Sequence, residues 1–168
     1  NAAVEPEIKD LCNYLNKCGA KVIGGGTQVI RIEGVDRLTP CEYTIMPDRI
    51  EAGTYVIAGT LLGENLKIEN LIPEHIQALI SKLKEAGANI EIKEDYIICN
   101  KSYKLKKVDI KTYYFPGFAT DLQQPFMTFL TQCEGISTLE ETIYENRFNN
   151  VEYLNKMGAD IQIENRKI

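Results

Sequence analysis

The sequence lacks the usual features of metal-binding, disulfide-stabilised and nucleic-acid-binding proteins. It contains one histidine, His75, and its five cysteines form no Cys-x-x-Cys pair, so we predict no metal site. An odd number of cysteines does not suggest a disulfide framework, and we expect reduced, buried thiols. Lysine and arginine are dispersed and the net charge is −5, which argues against a nucleic-acid partner.

Long apolar runs are also absent. No run approaches the roughly 18 residues needed to span a bilayer, and the N-terminus does not resemble a signal peptide. We therefore expect a cytoplasmic protein that does not contact a membrane. With 168 residues and 44% hydrophobic content, the chain can bury the core of one domain or of two small ones.

What the sequence does contain is a repeat. The pattern Leu-x-x-x-Gly-Ala starts at Leu15, Leu83 and Leu154 and recurs about every 70 residues, which is too long for a solenoid unit. Apolar residues precede each glycine at helical spacing, so each copy predicts a helix that ends at its glycine. An alternating apolar run follows each copy and predicts a β-hairpin. Gly24–Gly26 falls between two such strands, which favours a tight turn over a phosphate-binding loop.

Two further helices, at 52–62 and 125–133, are more apolar than those of the repeat. Strands are predicted at 66–69 and 137–139 after them and at 42–46 and 108–111 before them. The result is an α/β fold of repeated β-α-β-α-β-β units, in which helices that are apolar on several sides pack inside and the sheets lie outside. The third hairpin would begin at 160–163 and be cut short at Ile168. This end, together with the absence of an initiator Met, leads us to expect a piece of a longer protein.

Two aspartates, Asp48 and Asp121, occupy equivalent positions just before the two apolar helices. A carboxylate at a helix start accepts hydrogen bonds from backbone N–H groups, so either residue could be an N-cap. The segment before Asp121, at 113–118, is aromatic and contains proline and glycine. An N-cap does not require such a segment, so it favours a ligand pocket beside Asp121. The strand-to-helix corner at 141–148 lies in the same unit, with Asn146 as a candidate N-cap.

At these segments the chain resembles a known family, the UDP-N-acetylglucosamine enolpyruvyl transferases, also called 1-carboxyvinyltransferases. The resemblance runs through the whole chain. Its most specific segments are Asn1-Ala2-Ala3-x-Glu5-Pro6-Glu7-Ile8, Arg31-Ile32-Glu33-Gly34-Val35, Pro47-Asp48-Arg49-Ile50-Glu51-x-Gly53-Thr54, Pro116-Gly117-Phe118-x-Thr120-Asp121-x-Gln123 and Glu145-Asn146-Arg147-Phe148.

The resemblance implies a fold of two inside-out α/β domains with three units each. It also implies transfer of enolpyruvyl from phosphoenolpyruvate to the 3-hydroxyl of UDP-N-acetylglucosamine, the first committed step of peptidoglycan synthesis. Roles in cell wall biogenesis, cell shape and cell division follow from that step, and no cofactor is expected. An enolpyruvyl transferase of shikimate phosphate and a non-catalytic binding or assembly module on the same scaffold remain alternatives.

Site residues are also implied by the resemblance. Asp121 matches the aspartate beside the reacting hydroxyl, the usual candidate for general base. An aspartate is too weak a base to deprotonate an alcohol outright, so it helps only by taking the proton as the new bond forms. Ile143 matches a sugar-nucleotide contact made largely through the backbone. Arg147 is expected either to complement anionic groups of the ligand or to pair with Glu145 or another carboxylate.

Three further residues match positions at the cleft between the family's domains. Asp48 and Arg49 match the crossing between the domains, and Glu5 matches an acidic residue that faces the active site from the other domain. Residues 1–46 would then be the last unit of the first domain, and 47–168 two units of the incomplete second domain.

The resemblance also implies what this chain does not contain. None of its cysteines matches the family's reactive loop cysteine, and the arginines that bind phosphoenolpyruvate lie outside it. We therefore expect the isolated chain to be inactive. Because a domain of two units should expose apolar helix faces, we also expect self-association or swapping of the first unit.

Overall fold

The computed structural model describes all 168 residues as two compact units, Asn1–Met46 and Pro47–Ile168. No helix in it is both long enough and apolar enough to cross a membrane. The assignment of the two units to two domains of a larger enzyme stays a prediction.

The first unit contains one helix and one hairpin. Helix α1 (Pro6–Lys17) starts at a proline, whose missing N–H costs nothing in the first turn. Gly19 adopts a positive φ of 97° and ends the helix, as the sequence predicts. Strands β1 (Lys21–Ile23) and β2 (Arg31–Glu33) pair antiparallel, and Gly24–Gly26 lies in the turn between them, so the prediction of a turn is confirmed.

The second unit begins with a complete repeat. Its elements are α2 (Arg49–Leu62), β3 (Leu66–Glu69), a 3-10 turn (Pro73–Ile76), α3 (Gln77–Glu85), β4 (Asn89–Ile92) and β5 (Tyr96–Asn100). The three strands form an antiparallel sheet in the order β3-β5-β4. Gly87 takes the left-handed conformation after α3, with φ at 90°.

The following repeat is shorter. It consists of β6 (Ile110–Lys111), a 3-10 turn (Thr120–Leu122), α4 (Gln123–Leu130), β7 (Leu139–Glu140) and α5 (Val151–Lys156). Strands β6 and β7 are parallel and α4 connects them. The chain end pairs back on β7, since Leu139 and Ile168 exchange both backbone hydrogen bonds.

The inner helices α2 and α4 supply much of the core, in agreement with the prediction from their apolar composition. Large side chains with less than 2% exposure include Phe126, Met127 and Phe129 of α4, Val56 of α2, Leu79, Ile80 and Leu83 of α3, Ile97 of β5, Leu122 of the second 3-10 turn and Leu139 of β7. The ring of Phe126 packs edge-to-face on Phe118 and tilted on Phe129, with centroids 5.1 Å apart in both pairs. These contacts attach α4 and the loop before it to the core.

An asparagine makes the same clamp in two copies of the repeat. Asn16 donates to the carbonyl of Val22 and accepts from its N–H, both at 2.7 Å. Asn155 does the same with Ile161, at 2.9 and 3.0 Å. The shared Leu-Asn-Lys-x-Gly-Ala sequence thus sets the direction of the chain after the helix. The same hydrogen bonds in both copies support the repeat.

Three predictions of local structure were wrong. Residues 42–46 form no strand, because alternating apolarity predicts extended backbone but cannot supply a partner strand. Residues 160–163 also form no strand, and near the chain end only single bridges join Lys167 to Glu140 and Glu164. Asn146 is not an N-cap, because α5 begins later, at Val151, with Asn150 at the cap position.

Candidate functional site

The loop before Asp121 is held in one shape by its own sequence. Phe118 is buried against α4, and its carbonyl accepts the N–H of Tyr113 at 2.9 Å. Gly117 fits a position where a Cβ atom would lie 2.7 Å from the Cβ of Tyr113 and 2.8 Å from the carbonyl of Tyr114. The loop therefore holds the 3-10 turn that contains Asp121 in a defined position directly before α4.

Asp121 does not act as an N-cap. No side chain caps the 3-10 turn or α4. Its Oδ1 atom instead accepts from Nη2 of Arg147 at 2.6 Å, and its side chain is 53% exposed. The structure therefore excludes the capping interpretation for this aspartate and leaves the carboxylate open to solvent on one side.

The sequence left open whether Arg147 pairs with a carboxylate of the chain. In the structure it forms an ion pair with Asp121. Its Nη1 atom donates to Oγ1 of Thr120 at 3.0 Å, and its guanidinium lies over the ring of Tyr144, 4.9 Å from the centroid. Glu145, the alternative partner, pairs with Arg166 at 3.3 Å. Three contacts thus fix the plane of the guanidinium beside the carboxylate.

Glu141 is a central residue of this corner that the sequence reasoning missed. Its carboxylate is fully buried and accepts the hydroxyls of Thr112 and Thr120, both at 2.8 Å. It also accepts the backbone N–H groups of Ile143 at 2.8 Å and Tyr144 at 3.1 Å. Burial alone would raise the pKa of Glu141, but these four hydrogen bonds together hold it below its usual value. The charge is therefore kept.

A sequence signal for Glu141 was available. Leu139 is 1% exposed and Glu140 lies on the other face of β7, so alternation along the strand points the next residue inward. A glutamate on the core side of a strand must find donors, because an unpaired buried charge is prohibitively costly.

Ile143 has its N–H committed to Glu141 at 2.8 Å. A backbone contact from Ile143 to a ligand would therefore be made by its carbonyl oxygen. Its predicted role is compatible with this geometry.

Asp48 is an N-cap, as its position alone suggested. Its Oδ1 accepts from the backbone N–H of Ile50 at 2.7 Å and of Glu51 at 3.2 Å. The next residue, Arg49, places its guanidinium 5.6 Å from the ring centroid of Phe115, in the loop that leads to Asp121. The start of α2 and the approach to Asp121 are thus in contact within the second unit.

Glu5 belongs to the first unit, at the N-cap position of α1, and its side chain makes no capping hydrogen bond. Its Oε2 atom is buried and has no hydrogen-bond partner. The structure brings Asp121, Ile143 and Arg147 together in the second unit, and the role of Glu5 stays a prediction.

A cavity of about 470 Å³ lies away from these residues. It is bounded by the C-terminal part of α4, the segment after α5 and the chain end, including Met127, Leu130, Ile136, Ile161 and Ile168. None of the candidate site residues lines it. The corner around Asp121 is instead an open surface.

All five cysteines are free thiols. Cys12, Cys18 and Cys99 are buried, while Cys41 and Cys133 are half-buried. Burial raises the pKa of Cys99 and of Cys133 to about 11, so neither is an activated thiolate at neutral pH.

The chain matches one protein family over its full length. The model of the family described as EPSP synthase (3-phosphoshikimate 1-carboxyvinyltransferase) matches residues 1–168.

Several bacterial relatives share about half of the residues. The protein named UDP-N-acetylglucosamine 1-carboxyvinyltransferase 2 from Bacillus cereus strain ATCC 14579 is 50% identical over 166 residues. Proteins of the same name from Geobacillus kaustophilus strain HTA426 and Listeria monocytogenes serovar 1/2a are 48% identical. Each alignment covers 99% of this chain and 39% of the relative, so the chain spans about two fifths of their length. The resemblance found in the sequence is confirmed.

A solved structure shares the fold. The enolpyruvyl transferase NikO from Streptomyces tendae superposes with a TM-score of 0.84 at 23% identity, over 97% of this chain and 39% of that chain. This likeness concerns the fold alone, and it confirms the predicted α/β fold class.

Proposed function

The chain belongs to the EPSP synthase family, and from this premise we propose that it is the central part of an enzyme that transfers enolpyruvyl from phosphoenolpyruvate to the 3-hydroxyl of UDP-N-acetylglucosamine. The observation that carries the proposal is the exposed carboxylate of Asp121, held by Arg147 on a corner preceded by a rigid aromatic loop. In this role the protein would act in the cytoplasm in peptidoglycan synthesis, and so in cell wall biogenesis, cell shape and cell division.

The choice of acceptor substrate is supported by the relatives. Relatives that are 48–50% identical to this chain over 166 aligned residues carry the name of the UDP-N-acetylglucosamine enzyme. The family description, in contrast, names the 3-phosphoshikimate enzyme, so shikimate phosphate is the second candidate acceptor. We prefer the nucleotide sugar because identity at this level extends over 99% of the chain.

Asp121 is assigned the proton-accepting role. Arg147 binds its Oδ1 atom at 2.6 Å, and we assign the other oxygen to the 3-hydroxyl of the sugar. As the sugar oxygen adds to C2 of phosphoenolpyruvate and C3 takes up a proton, the hydroxyl proton passes to this carboxylate, which must already be within hydrogen-bond distance. Loss of phosphate from C2 and of a proton from C3 then restores the double bond. The pairing with Arg147 prevents rotation of the carboxylate and so reduces the entropy lost on reaching the reactive geometry.

The remaining residues would form the wall of the sugar-nucleotide site. The carbonyl of Ile143 would accept a hydrogen bond from the ligand, because its N–H is bound to Glu141. Arg49 would face anionic groups from the start of α2, beside Phe115. Asp48 contributes by capping α2, and the role of Glu5 in the full-length enzyme stays a prediction.

The proposal is tested by phosphate release from phosphoenolpyruvate in the full-length protein that contains this chain. We expect release with UDP-N-acetylglucosamine and none with shikimate 3-phosphate. The reverse preference would establish the second candidate, and no release with either acceptor would favour a non-catalytic module. The isolated chain is expected to be inactive. In calorimetry it should bind UDP-N-acetylglucosamine only weakly, and micromolar affinity would contradict a partial site.

A further inference from the structure

Building on the proposed function, we propose that Glu141 is a positioning residue that sets the hydrogen-bond direction of Thr120 and thereby orients Arg147 and Asp121. Glu141 itself does not touch the reacting atoms. It acts through the hydroxyl of Thr120, which has a single proton to donate.

The buried carboxylate of Glu141 acts as a hydrogen-bond acceptor. The carboxylate is 0% exposed and its donors include two backbone N–H groups, which cannot reverse their direction. An ionised carboxylate is a pure acceptor, so the hydroxyls of Thr112 and Thr120 must both donate to it.

The hydroxyl of Thr120 is hydrogen-bonded to both Glu141 and Arg147. A threonine hydroxyl has one proton, and here that proton is committed to Oε2 of Glu141 at 2.8 Å. The lone pairs of Thr120 are then the only groups it can offer to Arg147, whose Nη1 donates to it at 3.0 Å. If Thr120 donated towards Arg147 instead, two donors would face each other.

Arg147 connects Thr120 to Asp121. The same guanidinium that donates to Thr120 through Nη1 donates to Asp121 through Nη2 at 2.6 Å. Because a guanidinium is planar and rigid, fixing one nitrogen fixes the direction of the other. The guanidinium thus donates in two directions, to Asp121 directly and to Thr120, which in turn donates to Glu141, and these hydrogen bonds connect the buried charge to the exposed carboxylate.

Thr112 provides an internal control for this chain of contacts. It also donates to Glu141, at 2.8 Å, and its oxygen accepts the backbone N–H of Thr142 at 2.8 Å. Thr112 donates to Oε1 of Glu141 and Thr120 to Oε2, and only Thr120 is hydrogen-bonded to Arg147. If Glu141 had only a structural role, Glu141→Gln would lower kcat by the same factor with and without the hydroxyl of Thr120.

The test measures kcat and KM in the full-length transferase for Glu141→Gln, Thr120→Val, Thr120→Ser, Thr112→Val and the Glu141→Gln/Thr120→Val double variant. In Glu141→Gln, the side-chain NH₂ group would face hydrogen-bond donors that now surround a carboxylate. Thr120 and Arg147 should then be misoriented, which should lower kcat by about 10- to 100-fold. In the Thr120→Val background the same change should cost less than about twofold, because residues that act through one another are not additive.

The threonine variants separate positioning from folding. Thr120→Ser keeps the hydroxyl and should retain kcat within about threefold, whereas Thr120→Val should lower it about tenfold or more. Thr112→Val should lower stability by a similar amount but change kcat by less than about twofold. Equal kcat losses for Thr112→Val and Thr120→Val, or fully multiplicative effects in the double variant, would overturn the proposal.

A second measurement on the full-length protein does not depend on activity. In NMR spectra the Nη protons of Arg147 should be resolved in the wild type and averaged by rotation in Thr120→Val, but not in Thr112→Val. This measurement tests the orientation of Arg147 even if Glu141→Gln fails to fold. If the wild-type enzyme releases no phosphate while this spectral difference is found, the proposed function fails and the positioning role of the hydrogen bonds stands. Averaged Nη protons in the wild type would refute it.

Discussion

Replacing Asp121 with asparagine should abolish most of the activity while leaving the fold almost unchanged. The side chain is 53% exposed and its partner Arg147 is 26% exposed. Exposed ion pairs contribute about 0–1 kcal/mol even in good geometry. We therefore expect the free energy of unfolding to fall by less than about 1 kcal/mol, which lowers the Tm of a chain of this size by less than about 4 °C.

The effect on catalysis should be far larger. An asparagine amide cannot take a proton from the sugar hydroxyl, and loss of a positioned base typically lowers kcat by about 10²- to 10⁴-fold. Glu140→Gln is the matched control. Glu140 is a partly exposed carboxylate of the same repeat, 3.1 Å from Nζ of Lys111, and its neutralisation should leave kcat unchanged.

The assays are phosphate release for kcat and urea denaturation for stability. If Asp121→Asn lost more than about 2 kcal/mol of stability and kept kcat within about tenfold of wild type, the aspartate would be structural. Asp48→Ala gives the reference for a structural aspartate, since loss of an N-cap costs about 0.5–2 kcal/mol.

Three further predictions concern stability and association. Gly59→Ala should lower stability by about 1 kcal/mol despite better helix propensity, because its Cβ would lie 2.7 Å from the Cβ of Cys99; a gain in urea denaturation would contradict this. Because the folded-state pKa of Glu141 is depressed, its stabilising contribution is complete above the ordinary glutamate pKa and is lost as pH falls through the lower, folded-state value. Glu141→Gln should therefore show a shallower loss of stability below about pH 4.3, and parallel pH curves would refute this. Leu62 and Ile136 are 78% and 85% exposed, so the isolated chain should self-associate in sedimentation velocity, where a concentration-independent monomer would count against it.

The repeat made most of the fold predictable. Gly19, Gly87 and Gly158 all have positive φ values near 100°, which is what a glycine after a helical apolar stripe predicts. The inner helices were also identifiable, because α2 and α4 are apolar beyond one stripe. Strand pairing was less predictable, since the extended pattern at 42–46 carries no information about a partner.

The candidate site was predicted only in part. The position of Asp121 after a stiff aromatic loop was visible in the sequence, but its partner was not, because Arg147 and Asp121 are brought together by tertiary structure. Glu141 was missed because a glutamate beside another glutamate reads as a solvated charge. Alternation along β7 indicates that its side chain points inward, but the four donors around it come from separate segments and are seen only in the structure.

A crystal structure of the full-length protein with UDP-N-acetylglucosamine would show whether Asp121 contacts the reacting hydroxyl. We expect the 3-hydroxyl oxygen to lie about 2.6–3.2 Å from a carboxylate oxygen of Asp121, with the carbonyl of Ile143 in contact with the ligand. A nucleotide sugar bound elsewhere, with Asp121 contacting only Arg147, would contradict this expectation.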